Sequence, residues 1–161
     1  MDAAFDEYWM GQALREAEKA AEAGEVPAGC VIVEPPDDSD APPSAARLIA
    51  RAHNETETLT DATAHAEMLA LSAAFASRGN WRLTGARMYV TKEPCPMCAG
   101  AIALARLDAV VWGVSDPKRG GGSVFGIFGH KGMNHHPETV SGVLEEPCRA
   151  ILVAFFKGRR A

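Results

Sequence analysis

The sequence predicts an α/β domain, a central sheet with helices on its faces. Two observations carry this. Short β-branched runs alternate along the chain with segments of helical hydrophobic period. The 161 residues, 47% hydrophobic and 23% charged, suit one soluble domain over 1–161 whose core needs no disulfide.

The first predicted helix runs from Phe5 to Ala23. Tyr8 or Trp9, Gln12 or Ala13, Ala17, and Ala20 or Ala21 give a helical stripe, the charged residues fall mostly elsewhere, and Gly24 stops it. Val26–Val33 ends β-branched and reads as a strand buried on both faces. Glu34–Ala46 is Pro-rich and acidic, a mobile loop rather than an interdomain linker, since neither side alone holds a complete core. Arg47–Ala52 is the second strand, expected to pair antiparallel with the first. Ala64–Ser77 reads as a helix with Met68, Leu71 and Phe75 on one face, Thr63 as N-cap and Gly79 as stop. Ala86–Thr91 is the third strand, Pro96–Ala105 a small-residue helix suited to close packing, and Ala109–Val114 the fourth strand. Asp116–Ser123 is a Gly-rich loop. Its Gly120-Gly121-Gly122 reads as a flexible turn without the Lys-Ser/Thr ending of a phosphate loop. Phe125–Phe128 is expected to form a short helical turn, Glu138–Val143 a fifth strand, and Leu144–Lys157 the last helix.

The net charge of −5 argues against indiscriminate nucleic-acid binding, but it is unevenly spread. Residues 1–75 carry −11 and residues 76–161 carry +6, which permits an anionic partner on the C-terminal side. No apolar run is long enough to span a bilayer, and the acidic, amphipathic N-terminus does not read as a secretory signal. A cytoplasmic protein without a membrane partner is expected. Cys30 lies in a strand-like run and Cys148 in a helix-like one, and both read as small buried hydrophobes.

Cys95 and Cys98 read differently. They stand in Pro94-Cys95-Pro96-Met97-Cys98, and His65-Ala66-Glu67 lies 30 residues upstream. A catalytic zinc takes three protein ligands and leaves a fourth position for water. His65, Cys95 and Cys98 supply three. Cys95 and Cys98 share a face of one helical turn, and Pro96 fits the first helical position. A thiol at such an N-terminus has its pKa lowered. His65 and Glu67, two apart, converge only where a helix begins. Two helix N-termini would then face one metal at the carboxyl ends of strands, where α/β folds bind ligands. Glu67 need not be a ligand and is the candidate general acid/base. A closed structural site would need a fourth ligand, and the nearest spare ones, His53 and Cys30, sit in no zinc-binding spacing.

The pattern H-x-E…P-C-x-x-C is the signature of zinc nucleobase deaminases. Nearly the whole chain resembles the bacterial tRNA-specific adenosine deaminases of the cytidine-deaminase-like superfamily. The resemblance extends to Tyr8-Trp9-Met10, Glu25-Val26-Pro27-Ala28-Gly29, His53-Asn54, Tyr89-Val90-Thr91, Asp116-Pro117-Lys118, Gly132-Met133-Asn134-His135 and Phe155-Phe156-Lys157. It implies a three-layer α/β/α sandwich with a five-stranded mixed sheet and one Zn2+ per subunit. It implies hydrolytic attack on C6 of adenine at the wobble position of a tRNA anticodon loop, giving inosine. By the same resemblance Glu67 protonates N1 and then the departing ammonia, and Asn54 and the Ala66 backbone N–H contact the target nucleotide. Asp116 and its loop line the anticodon-loop entrance, and Phe155, Phe156, Lys157 and Arg159 lie near the RNA. A homodimer with tRNA touching both subunits is implied as well. The chain departs from the family at Thr60-Asp61-Ala62 (often His-Asp-Pro), at Lys92 (usually Leu), at Gly129-His130-Lys131 (commonly His-His-Pro) and in its longer Pro-rich loop.

Two other functions share parts of this pattern. A deaminase of a free base or nucleoside, such as guanine, cytosine or cytidine, would carry the same zinc site, and the basic C-terminal half favours RNA over it. An inactive zinc-stabilised RNA-binding module would have no use for Glu67.

Overall fold

Strands with apolar side chains on both faces demand cover on both sides. In β1 (Gly29–Glu34), Cys30 and Ile32 point into one core while Val31 and Val33 point into another. The same alternation holds in β3 (Arg87–Lys92), with Met88 and Val90 opposed to Tyr89, and in β4 (Ala109–Val114), with Val110 and Trp112 opposed to Val111. On the first side lie α2 (Ala66–Arg78) and α3 (Pro96–Leu104), on the second α1 (Ala3–Glu22) and α4 (Glu145–Arg160). With β2 (Arg47–His53) and β5 (Glu138–Val140) the sheet has five strands in the order β2-β1-β3-β4-β5. β1 is antiparallel to β2 and β3, and β4 is parallel to β3 and β5, so the sheet is mixed. The expected three-layer sandwich is what forms. This computed structural model describes residues 2–160, so Met1 and Ala161, the ends of the expected 1–161 domain, lie outside the described residues.

Several sequence details explain the packing. Gly29 lets α1 lie against β1, because a Cβ there would collide with the backbone at Ala13 and Ala17. Cys30 and Cys148 are fully buried, as expected of small hydrophobes. No described helix is long and apolar enough to cross a membrane.

Three expectations shift. The fifth strand stops at Val140, and two residues later Gly142 adopts φ +80°. The helical turn expected at Phe125–Phe128 forms at Ile127–Gly129, after Gly126 takes the left-handed φ of +62°. The loop read as mobile between β1 and β2 is tied down near its end. Pro43–Ala45 forms a 3-10 turn, Trp9 Nε1 donates to Pro43 O at 3.0 Å, and Ala46 is buried.

The topology places the site. β2 runs in the same direction as β3, since both are antiparallel to β1. Both α2, following β2, and α3, following β3, therefore start from the same edge of the sheet.

Candidate active site

The first helix mouth is organised by Asp61. Its Oδ1 accepts the Thr63 N–H at 2.8 Å and the Thr63 hydroxyl at 2.7 Å. This corrects the expected cap. Thr63 is occupied by Asp61, α2 begins at Ala66, and His65 is the N-cap, extended at φ −73° and ψ 150°. The two-residue spacing of His65 and Glu67 is thereby reconciled, because only Glu67 has helical backbone. At the second mouth Cys95 is the N-cap and Pro96 the first residue of α3, as expected.

The two mouths meet. His65 Nδ1 lies 3.6 Å from Cys95 Sγ and 3.5 Å from Cys98 Sγ, and the three ligand atoms fall within 4.8 Å of one another. Ordinary zinc–nitrogen and zinc–sulfur lengths at a tetrahedral angle separate such atoms by about 3.6 Å. The donor set therefore fits zinc in both chemistry and spacing. Hydrogen bonding from Cys98 and His65 holds the Cys95 thiol down at about 3. The hydrogen bond to Cys95, with burial, pushes the Cys98 thiol up. The Cys95 contact also raises His65. Glu67 is buried, and desolvation raises its carboxyl above the usual range.

Above this floor opens a cavity of about 370 Å³, within the range of small-molecule sites. It brings together His65, Ala66, Glu67, Cys95, Asn54, Asp116 and Phe156 of the residues read from the sequence. Asn54 is nearly buried. Its N–H donates to Ala28 O at 3.0 Å and its Nδ2 to Val26 O at 3.4 Å, while Oδ1 is the one buried side-chain atom without a partner among the described residues. Ala66 opens α2, where first-turn N–H groups have no intrahelical acceptor. Phe155 and Lys157 do not line the cavity. Phe155 packs edge-on against Phe156 and under Arg159, and Lys157 lines a separate shallow groove along α4.

The walls depend on two buried glutamates that sequence reasoning missed. Glu25 accepts from the N–H groups of Glu57 and Thr58 at 3.1 and 2.7 Å, and from the Thr58 hydroxyl at 2.7 Å. Glu93 accepts from the N–H groups of Asp116, Gly122 and Ser123 at 2.9, 3.1 and 2.7 Å, and from the Ser123 hydroxyl at 2.7 Å. The Gly120-Gly121-Gly122 turn, read as flexible, is clamped instead. Gly120 and Gly121 are buried. A Cβ on Gly120 would lie 2.5 Å from the Glu93 carboxylate, and one on Gly121 would lie 2.9 Å from both Pro94 O and Cys95 O. Lys92 and Arg119 also line the cavity and were not anticipated there. An acidic residue beside an apolar run at Glu25, and one directly before Pro94-Cys95, were the available signals.

Residues 3–114 match the cytidine and deoxycytidylate deaminase zinc-binding region. The chain is 48% identical over 156 residues to a tRNA-specific adenosine deaminase of Bacillus subtilis (strain 168), covering 96% of this chain and 91% of that one. It is 43% identical over 166 residues to a tRNA-specific adenosine deaminase of Haemophilus influenzae, covering 99% and 91%. A chain solved in work on A-to-I editing by tRNA:A34 deaminases superposes with a TM-score of 0.81 at 40% identity, covering 90% of this chain and 99% of that one. With its ligand triad at two helix mouths and this likeness along nearly its full length, the chain belongs to the tRNA-specific adenosine deaminases, within the zinc-binding cytidine and deoxycytidylate deaminase family.

Proposed function

We propose that this protein hydrolytically deaminates adenosine to inosine at the wobble position of a tRNA anticodon loop. His65, Cys95 and Cys98 hold one zinc per subunit, and Glu67 is the general acid/base. The observation that carries the reading is the convergence of His65 Nδ1 and two cysteine sulfurs beside a buried glutamate on the floor of a nucleotide-sized cavity. Zinc held there would polarise a water molecule and bring its pKa to near 7. Every remaining step belongs to the chain. Glu67 takes a proton from the attacking water, delivers it to N1 of adenine, and then carries a proton to the departing 6-amino group. Water and adenosine give inosine and ammonia, and the carboxylate is restored. The unpartnered Oδ1 of Asn54 and the first-turn N–H of Ala66 support the reading that these residues orient the nucleotide. Phe156 offers a half-exposed ring on which a base can stack, and Asp116 lines the entrance. Phe155 supports Phe156, and Lys157 reaches the RNA further along α4.

The basic C-terminal half and the relatives' names support an RNA substrate over a free base. We further place the enzyme in the cytoplasm as one domain over 1–161 that works as a homodimer. The exposed Leu104 and Met97 on α3 support a partner subunit.

The test is direct. The zinc-loaded protein is incubated with an anticodon stem-loop bearing wobble adenosine and, separately, with adenine, guanine, cytosine and cytidine. Inosine in the stem-loop alone is expected. Turnover of a free base alone would overturn the reading.

A further inference from the structure

Lys92 closes β3, three residues before the ligand Cys95, on the wall of the cavity that holds Glu67 and Asn54. Its ammonium lies 3.4 Å from Asp116 Oδ2, with 38% of the side chain exposed. Asp116 is a fixed partner. Its Oδ1 accepts the N–H groups of Lys118 and Arg119 at 2.9 and 3.0 Å, and its own N–H donates to Glu93. Arg119 lines the same cavity, is exposed, and its guanidinium has no ion-pair or hydrogen-bond partner among the described residues. The Lys92 ammonium has three donors and Asp116 engages it on one side, so donor capacity is left for a further acceptor. Glu93, the other carboxylate near this wall, is already spent on four loop donors. Two cations thus line the same cavity as Glu67 and Asn54.

We infer that Lys92 and Arg119 form a phosphate subsite that grips the strand backbone next to the nucleotide whose base reaches Glu67. This rests on the deaminase reading for its substrate and deepens it. A nucleotide within a strand brings a phosphodiester on each side, and a free base brings none. The subsite therefore selects a strand-embedded adenosine. Phosphate contacts fix register and leave base identity to other groups, here Asn54 and the Ala66 N–H. Asp116 keeps Lys92 poised at the wall and shares it with the incoming phosphate.

The test uses zinc-loaded protein and the anticodon stem-loop RNA, with binding read by fluorescence anisotropy. Wild type, Lys92→Met, Lys92→Arg and Arg119→Met are titrated with the natural stem-loop. They are also titrated with stem-loops carrying a neutral methylphosphonate 5′ or 3′ of the target adenosine. Lys92→Met is expected to weaken the natural stem-loop about tenfold, as loss of a charge-assisted hydrogen bond does. It should also flatten the slope of log affinity against log salt by about 0.7, the value for one single-strand phosphate. Lys92→Arg should keep most of the affinity. At one of the two linkages the methylphosphonate should weaken wild type similarly and cost Lys92→Met nothing more. Arg119→Met, a change at an exposed side chain, should reproduce the pattern more weakly. Independent, additive losses at both linkages, or an unaltered salt slope in both methionine variants, would overturn the subsite. Binding is read without turnover, so the two readings fail separately. Coupling without inosine formation overturns the deaminase reading alone, and inosine without coupling overturns the subsite alone.

Discussion

The floor of the cavity and its walls are held by opposite means. The floor is made of side chains from two short sequence clusters, each set at a helix mouth, so local backbone alone aims His65, Glu67, Cys95 and Cys98. The walls are loops whose shape comes from distant carboxylates. Glu25 holds Thr56–Thr58 from more than 30 residues upstream, and Glu93 holds 116–123 from 23 to 30 residues away. The ligand cluster is thus set locally, and the shape of the walls is set through tertiary contacts. Changes to the floor should abolish turnover, and changes to the walls should alter binding while the metal stays.

The largest effect is expected at a ligand. Cys98→Ala removes one of three donors, so zinc content should fall to background and inosine formation should disappear with it. Next comes Glu67→Ala, whose turnover should drop by about three orders of magnitude, in keeping with the loss of a general acid/base. Single-turnover assays would show this loss in the chemical step. A wall change is smaller and of another kind. Glu93→Gln replaces one carboxylate oxygen by a donor facing the N–H groups of the 116–123 loop. KM for the stem-loop should rise about tenfold, the loss expected when a charge-assisted hydrogen bond is broken, with zinc retained. A variant that lost its metal instead would erase the distinction between floor and wall.

The smallest effect concerns Glu25 and depends on pH. Burial alone would raise its carboxyl, but bonds from Thr58, Glu57 and Thr56 hold it below its ordinary 4.5. A carboxylate with a depressed folded pKa stabilises above the unfolded value and loses that contribution as pH falls through the folded one. Glu25→Gln should therefore cost about 1 kcal/mol at pH 7 by urea denaturation. The gap to wild type should narrow below about pH 4.5. A gap that widened toward acid would reverse the assigned role.

This contrast also explains what was legible in the sequence. The strands and helices were readable from periodicity, and the His65, Cys95 and Cys98 cluster from spacing, because both are local. Asn54 and Ala66 were reachable only through resemblance to a family. The cap of α2 was misplaced because Thr63 has the right side chain, yet Asp61, two residues earlier, competes for it. The three glycines suggested freedom, but they are small because the loop touches Glu93 and the Pro94–Cys95 backbone. Glu93 stands directly before the Pro94-Cys95 motif, but its partners lie beyond β4, so nothing near it in the sequence shows what it binds. The short fifth strand was overrun because nothing in Glu138–Val143 announces the left-handed turn at Gly142.

The claim that ties floor to mechanism is that Glu67 moves protons and does not hold the metal. Zinc stoichiometry of purified Glu67→Ala, measured by atomic absorption beside its affinity for the stem-loop, tests it most directly. One zinc per chain and near wild-type RNA affinity, with inosine formation lost, is the predicted result. A variant stripped of zinc, or one that still turns over at the wild-type rate, would contradict it.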